Sequence, residues 1–138
     1  MSARTKARKR ALDMLFQADI RQAPIATIVE QEANTAQNEP ERLASWVYAR
    51  EIVDGVTDHQ KDIDEMITKF SEGWTLERMP SVDLALLRIA SWEIHFNEEV
   101  PVPVAINEAV ILAGEYSTED SGRFINGVLG NIAQHTFE

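Results

Sequence analysis

The segment that decides the fold is PSVDLALLRIASWEI, residues 80–94. Its apolar side chains point to nearly every side of a helix instead of forming one stripe. Such a helix must be surrounded by other elements, so we expect it at the centre of the protein. Pro80 suits its start, because proline's fixed φ is compatible with a first helical turn and its missing N–H has no intrahelical partner there.

Apolar residues recur with helical spacing on both sides of this segment, and no stretch alternates long enough to predict a strand. The sequence therefore predicts an all-α fold of about seven helices. Most of these helices have one apolar stripe, whose members define the expected core. Outside residues 80–94 the expected core positions include Ala7, Ala11, Leu15, Ala18, Ile25, Ile28, Val29, Leu43, Trp46, Val47, Val53, Val56, Ile63, Met66, Ile67, Phe70, Ile125, Val128, Leu129 and Ile132.

Capping and breaking residues give approximate limits for the helices of the amino-terminal half. We expect the first helix over about residues 3–20. Pro24 opens a second, short helix, and the polar stretch 31–39 indicates a linker. The third helix begins at about Glu41 and meets the fourth near residues 57–60, where the sequence does not define the junction.

The same signals delimit the helices of the carboxy-terminal half. Gly73 ends the fourth helix, and residues 74–79 are expected to form a connector with one helical turn. The sixth helix is expected over about residues 103–116. Ser117, with Asp120 three residues later, resembles a capping box and predicts the start of the seventh helix.

Charge is distributed unevenly along the chain. Residues 1–21 contain six basic and two acidic side chains, a net charge of +4. The whole chain has a net charge of −10, so the remaining residues sum to −14. A basic end on an acidic body allows a phosphate backbone to approach at one place only, although a solubilising tail is an equally good explanation of composition alone.

The composition also indicates where the protein works. It contains no cysteine, and nowhere do 18 apolar residues follow one another. No apolar segment of the secretory type follows the basic start. We therefore expect a cytoplasmic protein that has no disulfides and does not enter a membrane.

Residues capable of catalysis or metal binding form no recognisable constellation. The histidines are far apart in the sequence and lack metal-ligand spacing: His59, His95 and His135. Asp58, Asp62 and Glu65 share a helical face, but interleaved lysines make a solvated, ion-paired face at least as good an explanation as a metal site. We expect no catalytic residue, no metal and no cofactor.

A helical projection of the first helix places an aromatic ring among cations. Phe16, Lys9 and Lys6 point away from the apolar stripe, while Arg8 and Arg10 lie at its edges. Cations that contact phosphates and a ring that stacks on a base are suited to unpaired nucleic acid. The alternative is that Phe16 packs on a second layer of the protein.

The last helix has a comparable face beside its buried stripe. Phe124, Gly127 and Asn131 line this face, and Asp120 lies at its amino-terminal end. Gly127 and Gly130 each cost about 1 kcal/mol relative to alanine inside a helix, so we expect something to approach the backbone closely there. Helix packing and a binding partner both fit this expectation, and Asp120 also fits a favourable interaction with the helix dipole.

Several stretches resemble the family of the bacterial transcription antitermination factor NusB. The resembling stretches are ARKRA at 7–11 with LF at 15–16, VDLALLRIA at 82–90, VAINEA at 104–109, EDS at 119–121 and FINGVL at 124–129. The resemblance implies two small helical bundles packed together in a single domain over residues 1–138, with lobes at about 1–73 and 74–138. It also implies pairing with the small-subunit ribosomal protein NusE.

The resemblance further implies that the pair binds the single-stranded boxA element of ribosomal RNA transcripts in the transcription elongation complex. The implied RNA-binding residues are Arg4, Lys6, Arg8, Lys9, Arg10, Phe16 and Phe124. The implied partner-binding residues are Phe16, Asp83, Asp120 and Phe124. Phe16 stands where the family often has tyrosine, which preserves stacking but removes a hydroxyl. The sequence does not decide whether the protein forms a homodimer that covers the basic surface.

Two other functions are compatible with the sequence. One is a helical scaffold that binds only protein, through the basic helix and an acidic partner. The other is the NusB-like domain of a ribosomal RNA cytosine methyltransferase. The chain contains no Gly-rich cofactor-binding unit and no cysteine nucleophile, which favours the antitermination factor.

Overall fold

The computed structural model describes residues 2–135 and confirms the all-α prediction. Two 3₁₀ turns, Pro40–Arg42 and Leu76–Arg78, accompany the α-helices. The helices of the described residues are α1 (Ala3–Arg21), α2 (Ile25–Gln37), α3 (Leu43–Asp58), α4 (Gln60–Phe70), α5 (Ser81–Phe96), α6 (Val102–Tyr116) and α7 (Glu119–Ala133). Among these helices, none is long and apolar enough to cross a membrane.

The chain divides into two compact units, Met1–Asp54 and Gly55–Glu138, and the division falls within α3. The sequence predicts a lobe boundary near residue 73, after α4, and this boundary stays a prediction.

In the first unit, α1 packs against α2. The Ser2 side chain caps α1 by accepting a hydrogen bond from the backbone N–H of Thr5 at 3.1 Å. The prediction of a linker over residues 31–39 was wrong, because α2 continues to Gln37. Ala36 is buried and provides the apolar contact that the polar side chains around it do not.

The core stripe of α3 differs from the prediction. Leu43 and Val47 are exposed, although the sequence analysis assigned both to the core. The buried face of α3 is rotated about the helix axis relative to the predicted one. It includes small or polar side chains, which a prediction based on large aliphatic residues does not assign to the core. Its buried members are Ser45, Tyr48, Ala49, Ile52, Val53 and Val56. In α1 the inward stripe is also shifted, since Leu12 and Met14 are buried whereas Leu15 and Ala18 are only half-buried.

In the second unit, α5 lies at the centre and contacts α4, α6 and α7, as its apolar pattern predicts. Its buried residues run almost without interruption from Asp83 to Glu93. Arg88 of α5 forms a two-pronged ion pair with Asp64 of α4, with N···O distances of 2.9 and 3.1 Å. These contacts fix the helix that carries Asp83.

The end of α4 and the start of α7 position the residues of the candidate binding surface in the second unit. Gly73 adopts a left-handed conformation with φ of 91°, which glycine allows, and α4 has ended at Phe70. The residue that caps α7 is Thr118, not Ser117, because its side chain accepts a hydrogen bond from the N–H of Ser121 at 3.1 Å. Asn126 and Gly127, a pair of residues common in turns, lie inside α7, as the helical spacing of Ile125, Val128, Leu129 and Ile132 predicts.

Candidate nucleic-acid interface

The amino-terminal half of α1 presents most of the basic residues that the sequence analysis identified. Arg4 and Lys6 are exposed, and Lys9 and Arg10 are half-buried. The first turn of α1 contains no acidic side chain. This half of the helix therefore has a positive surface whose charged groups a phosphate backbone can reach.

Arg8 is the exception, because only 3% of its surface is exposed. Its guanidinium carbon lies 5.9 Å from the centre of the Tyr48 ring, and that of Arg4 lies 5.0 Å from the same ring. Both distances fit a cation–π interaction. The projection placed Arg8 at the edge of the core, but the structure buries it, and a phosphate could reach it only if the side chain moved.

Phe16 is half-buried in α1, so part of its surface is accessible to a binding partner. The sequence allowed either a ring that points fully outward or a ring packed in a second layer. The observed burial of Phe16 is intermediate between these two alternatives.

Asp83, on the central helix α5, is a buried carboxylate with one unused oxygen. Only 3% of its surface is exposed. Ser121 Oγ donates a hydrogen bond to Asp83 Oδ2 at 2.8 Å, whereas Asp83 Oδ1 has no hydrogen-bond partner within residues 2–135. An unsatisfied buried acceptor is costly, and a carboxylate oxygen is a strong acceptor for a cationic donor.

A cavity of about 270 Å³ lies beside Asp83. We call it the Asp83 cavity, and its lining residues are Trp74, Met79, Pro80, Asp83, Thr118, Asp120, Ser121 and Phe124. Two carboxylates and several apolar groups therefore surround the same space. This combination suits a cationic side chain with an apolar stem.

The Asp83 cavity brings Asp83 together with Asp120 and Phe124, which are far from Asp83 in the sequence; the resemblance associates all three residues with binding. Asp83 comes from α5, whereas Asp120 and Phe124 come from the first turns of α7. Asp120 is 86% exposed and pairs with Arg123 one turn later in the helix. Phe124 is half-buried. Phe16, a residue of the first unit, is not among the residues that line this cavity.

Trp74 and Met79 are members of the site that the sequence analysis missed. Trp74 is 50% exposed, and its ring centre lies 6.3 Å from that of Phe124. A tryptophan in a short polar connector was the available signal, because an exposed aromatic residue there has no obvious role in the core.

A second cavity, of about 290 Å³, shares Trp74 and Phe124 with the first. We call it the Gly127 cavity, and its lining residues are Phe70, Ser71, Glu72, Trp74, Arg123, Phe124, Gly127, Val128 and Asn131. A Cβ atom added at Gly127 would meet no atom of the described chain within 4 Å. Packing against another helix of the described chain is therefore not the reason for this glycine.

The histidine side chains contact aromatic rings, and they do not form a group of metal ligands within residues 2–135. His59 stacks on Phe96 with a centroid distance of 3.8 Å, and the rings of His95 and His135 lie 6.2 Å apart, edge to face. Nε2 of His95 lies 2.7 Å from the carbonyl oxygen of Ile132. Within residues 2–135, no group of three His, Cys, Asp or Glu side chains could hold a metal ion.

Comparison with known proteins supports the resemblance along nearly the whole chain. The model of the NusB family matches residues 5–134. The transcription antitermination protein NusB of Leifsonia xyli subsp. xyli is 61% identical over 135 residues, which cover 98% of this chain and 94% of the relative. That relative is named as a transcription antitermination protein, which agrees with the expectation of a protein that is not an enzyme.

Solved structures give the same result. A structure of T. maritima NusB matches with a TM-score of 0.84 and 31% identity, and covers 98% of this chain and 93% of its own. A crystal structure of the antitermination factors NusB and NusE in complex with dsRNA matches with a TM-score of 0.81 and 26% identity, and covers 97% and 98% of the two chains. The chain therefore belongs to the NusB family.

Proposed function

We propose that this protein is an RNA-binding transcription antitermination factor that acts with the ribosomal protein NusE on the boxA element of ribosomal RNA transcripts. The observation that carries the proposal is the group of accessible cations on α1, in a chain with a net charge of −10. A localised basic surface binds phosphates there, while the acidic remainder repels RNA elsewhere. The solved complex of NusB, NusE and dsRNA supports this function by similarity.

The RNA surface that we propose consists of Arg4, Lys6, Lys9 and Arg10, with Phe16 as a stacking residue. Phosphate contacts by these cations hold the transcript without reading its sequence. Arg8 serves a different purpose in this proposal, because its burial against Tyr48 holds the helix in place. The overall negative charge keeps the affinity of the isolated protein for RNA low.

The Asp83 cavity is the site that we propose for the protein partner. A lysine or arginine of NusE donates to the unused Oδ1 of Asp83, and its stem packs against Trp74 and Phe124. This donor satisfies a buried carboxylate oxygen, which gives the contact both affinity and specificity. Asp120, at the rim, adds charge that attracts a basic partner. The protein functions in the cytoplasm, as part of the transcription elongation complex.

The test is to measure RNA affinity with and without NusE. Fluorescently labelled RNA that carries boxA is titrated with the protein alone, with NusE alone and with an equimolar mixture. We expect the mixture to bind at least tenfold more tightly than either protein, a coupling of about 1.4 kcal/mol or more. The same titration with duplex RNA reports whether the site prefers unpaired bases.

Two results would contradict the proposal. Binding of NusE without any RNA binding by the mixture would favour the protein-only scaffold. RNA binding that is equally tight with and without NusE would show that NusE does not contribute to RNA binding.

A further inference from the structure

We infer that the Gly127 cavity receives one unpaired nucleobase of the bound RNA, stacked against Trp74 or Phe124. This inference rests on the proposed RNA-binding function and adds to it a base site distinct from the cations of α1. It also assigns a binding role to Trp74, Gly127 and Asn131. Three features of the cavity carry the inference: an open glycine, two accessible rings and a polar rim.

The glycine is the first feature. Gly127 lies inside α7, where glycine stabilises a helix less than alanine does. A Cβ atom at this position has open space around it within the described chain, so neither backbone geometry nor internal packing requires glycine. What the missing side chain does provide is room in the cavity. An external group that comes close to the backbone of α7 explains that room.

The two rings are the second feature. Trp74 is half exposed, and the planes of Trp74 and Phe124 are inclined at 59° with their centres 6.3 Å apart. The two rings contact each other at this distance and both face the cavity, so a flat group in the cavity can stack on one ring and meet the edge of the other. Every nucleobase offers a face for such stacking.

The rim of the cavity is the third feature. Arg123 is 72% exposed and pairs with Asp120 on the helix surface, an arrangement that opens at little cost. Its guanidinium can therefore turn to a phosphate that leads into the cavity. The edge of a base can form hydrogen bonds with two residues of the rim. The amide of Asn131 both donates and accepts, and the carboxylate of Glu72 accepts.

The backbone beside the cavity is held in an uncommon conformation. Glu72 has a φ of 48°, in the left-handed region, and Gly73 follows with a φ of 91°. Residues other than glycine seldom adopt such values, and those that do are concentrated at ligand sites. The turn positions Glu72 at the cavity and leads directly to Trp74.

The lining favours a nucleobase over an apolar side chain of a protein partner. Among the described residues that line the cavity, Val128 has the only aliphatic side chain, and apart from Gly127 the others are aromatic or polar. The adjoining Asp83 cavity differs, because two carboxylates and an unused acceptor oxygen suit a cationic side chain. Trp74 and Phe124 thus separate a base site from the proposed partner site.

The test compares two alanine substitutions in the same helix. Gly127→Ala narrows the cavity, whereas Gly130→Ala adds the same methyl group at a position that also has open space but does not line it. Both variants should unfold at a temperature equal to or higher than that of the unmodified protein. Only Gly127→Ala should weaken binding of boxA RNA by the full chain with NusE, by roughly fivefold to a hundredfold, the range expected for one stacked base.

A series of RNAs with one abasic position each identifies the base. One of these RNAs should bind the unmodified protein as weakly as intact RNA binds Gly127→Ala. With that RNA, Gly127→Ala should cause no further loss, because the group that it excludes is already absent. Trp74→Ala should lose at least as much affinity as Gly127→Ala, because Trp74 lines the Asp83 cavity as well, and Trp74→Phe should retain most of the affinity.

The outcomes separate this inference from the proposed function. If the unmodified protein with NusE binds RNA, and Gly127→Ala binds it as tightly as Gly130→Ala does, the base site is refuted and the proposed function stands. If Gly127→Ala weakens binding of NusE in the absence of RNA, the cavity holds a side chain of the partner and the inference is overturned. If no RNA binds the unmodified mixture, the proposed function itself fails.

Discussion

Asp83 on α5 accepts a hydrogen bond from Ser121 on α7, at 2.8 Å between the carboxylate Oδ2 and the hydroxyl oxygen. The same hydroxyl lies 3.0 Å from Thr118 Oγ1 and 2.9 Å from Ser117 Oγ. A chain of short polar side chains thus joins the start of α7 to the central helix. It holds one carboxylate oxygen and leaves the other, Oδ1, available to a donor from outside.

Ser121→Ala should destabilise the protein. The substitution removes the hydroxyl donor from a buried carboxylate, and an unsatisfied buried acceptor costs about 1–3 kcal/mol. Urea unfolding followed by circular dichroism measures the change. The double variant Ser121→Ala with Asp83→Ala should lose less stability than the two single changes added together. Strict additivity would show that the pair makes no contribution.

Asp83→Asn should weaken binding of NusE while leaving the fold intact. The amide retains an oxygen that accepts from Ser121 but replaces the unused carboxylate oxygen with an NH2 group, which donates hydrogen bonds instead of accepting them. Loss of one charge-assisted hydrogen bond corresponds to about 1.5–3 kcal/mol, or roughly ten- to a hundredfold in affinity. Isothermal titration calorimetry with NusE measures the effect. Asp62→Asn, on the exposed surface of α4, is the matched control; an equal loss there would mean that total charge, and not the cavity, attracts the partner.

Gly55→Ala should be among the most damaging small changes in the second unit. A Cβ atom at Gly55 would overlap the indole ring of Trp92, so the ring or the helix has to move. Overpacking of this kind costs about 1–3 kcal/mol. The control is Gly114→Ala in α6, where a Cβ atom has open space and should raise stability by up to about 1 kcal/mol. Equal denaturation midpoints for the two variants would contradict this packing.

Arg8→Ala should lower stability, unlike Lys6→Ala. Arg8 is buried with its guanidinium beside the Tyr48 ring, and loss of a desolvated cation–π contact and its packing costs about 1–2 kcal/mol. Lys6 is exposed, so its replacement should leave the melting temperature unchanged while weakening RNA binding. Differential scanning calorimetry distinguishes the two. An unchanged melting temperature for Arg8→Ala would contradict the stabilising role of Arg8 and would favour its assignment to the RNA surface.

Periodicity along the chain was sufficient to predict much of the fold. The uninterrupted apolar pattern of residues 80–94 correctly predicted the central helix of its unit, because a helix apolar on every face has no stable place on a surface. Gly73 and the 3₁₀ turn that follows were also predictable from local signals. The extent of α2 was not, since its second half is polar and is held by contacts that involve the small residue Ala36.

The candidate site was only partly predictable, for a related reason. The sequence placed Asp120 and Phe124 on one helix, but it gave no distance from either residue to Asp83 or Trp74. Those distances depend on how α5 and α7 pack. The burial of Arg8 depends similarly on Tyr48, forty residues further along the chain, which a projection of one helix does not include.

The salt dependence of RNA binding tests the central claim, that cations of α1 hold the phosphates. The affinity of the complex with NusE for single-stranded boxA RNA is measured at several salt concentrations for the unmodified protein and for Lys6→Gln with Arg10→Gln. Arg50→Gln with Lys61→Gln, two exposed cations of α3 and α4 that line neither cavity, is the control of equal charge. If both α1 residues contact phosphates, the slope of log K against log salt should become shallower by about 1.4 in the α1 variant and stay unchanged in the control. Equal slopes for the unmodified protein and the α1 variant would contradict the claim.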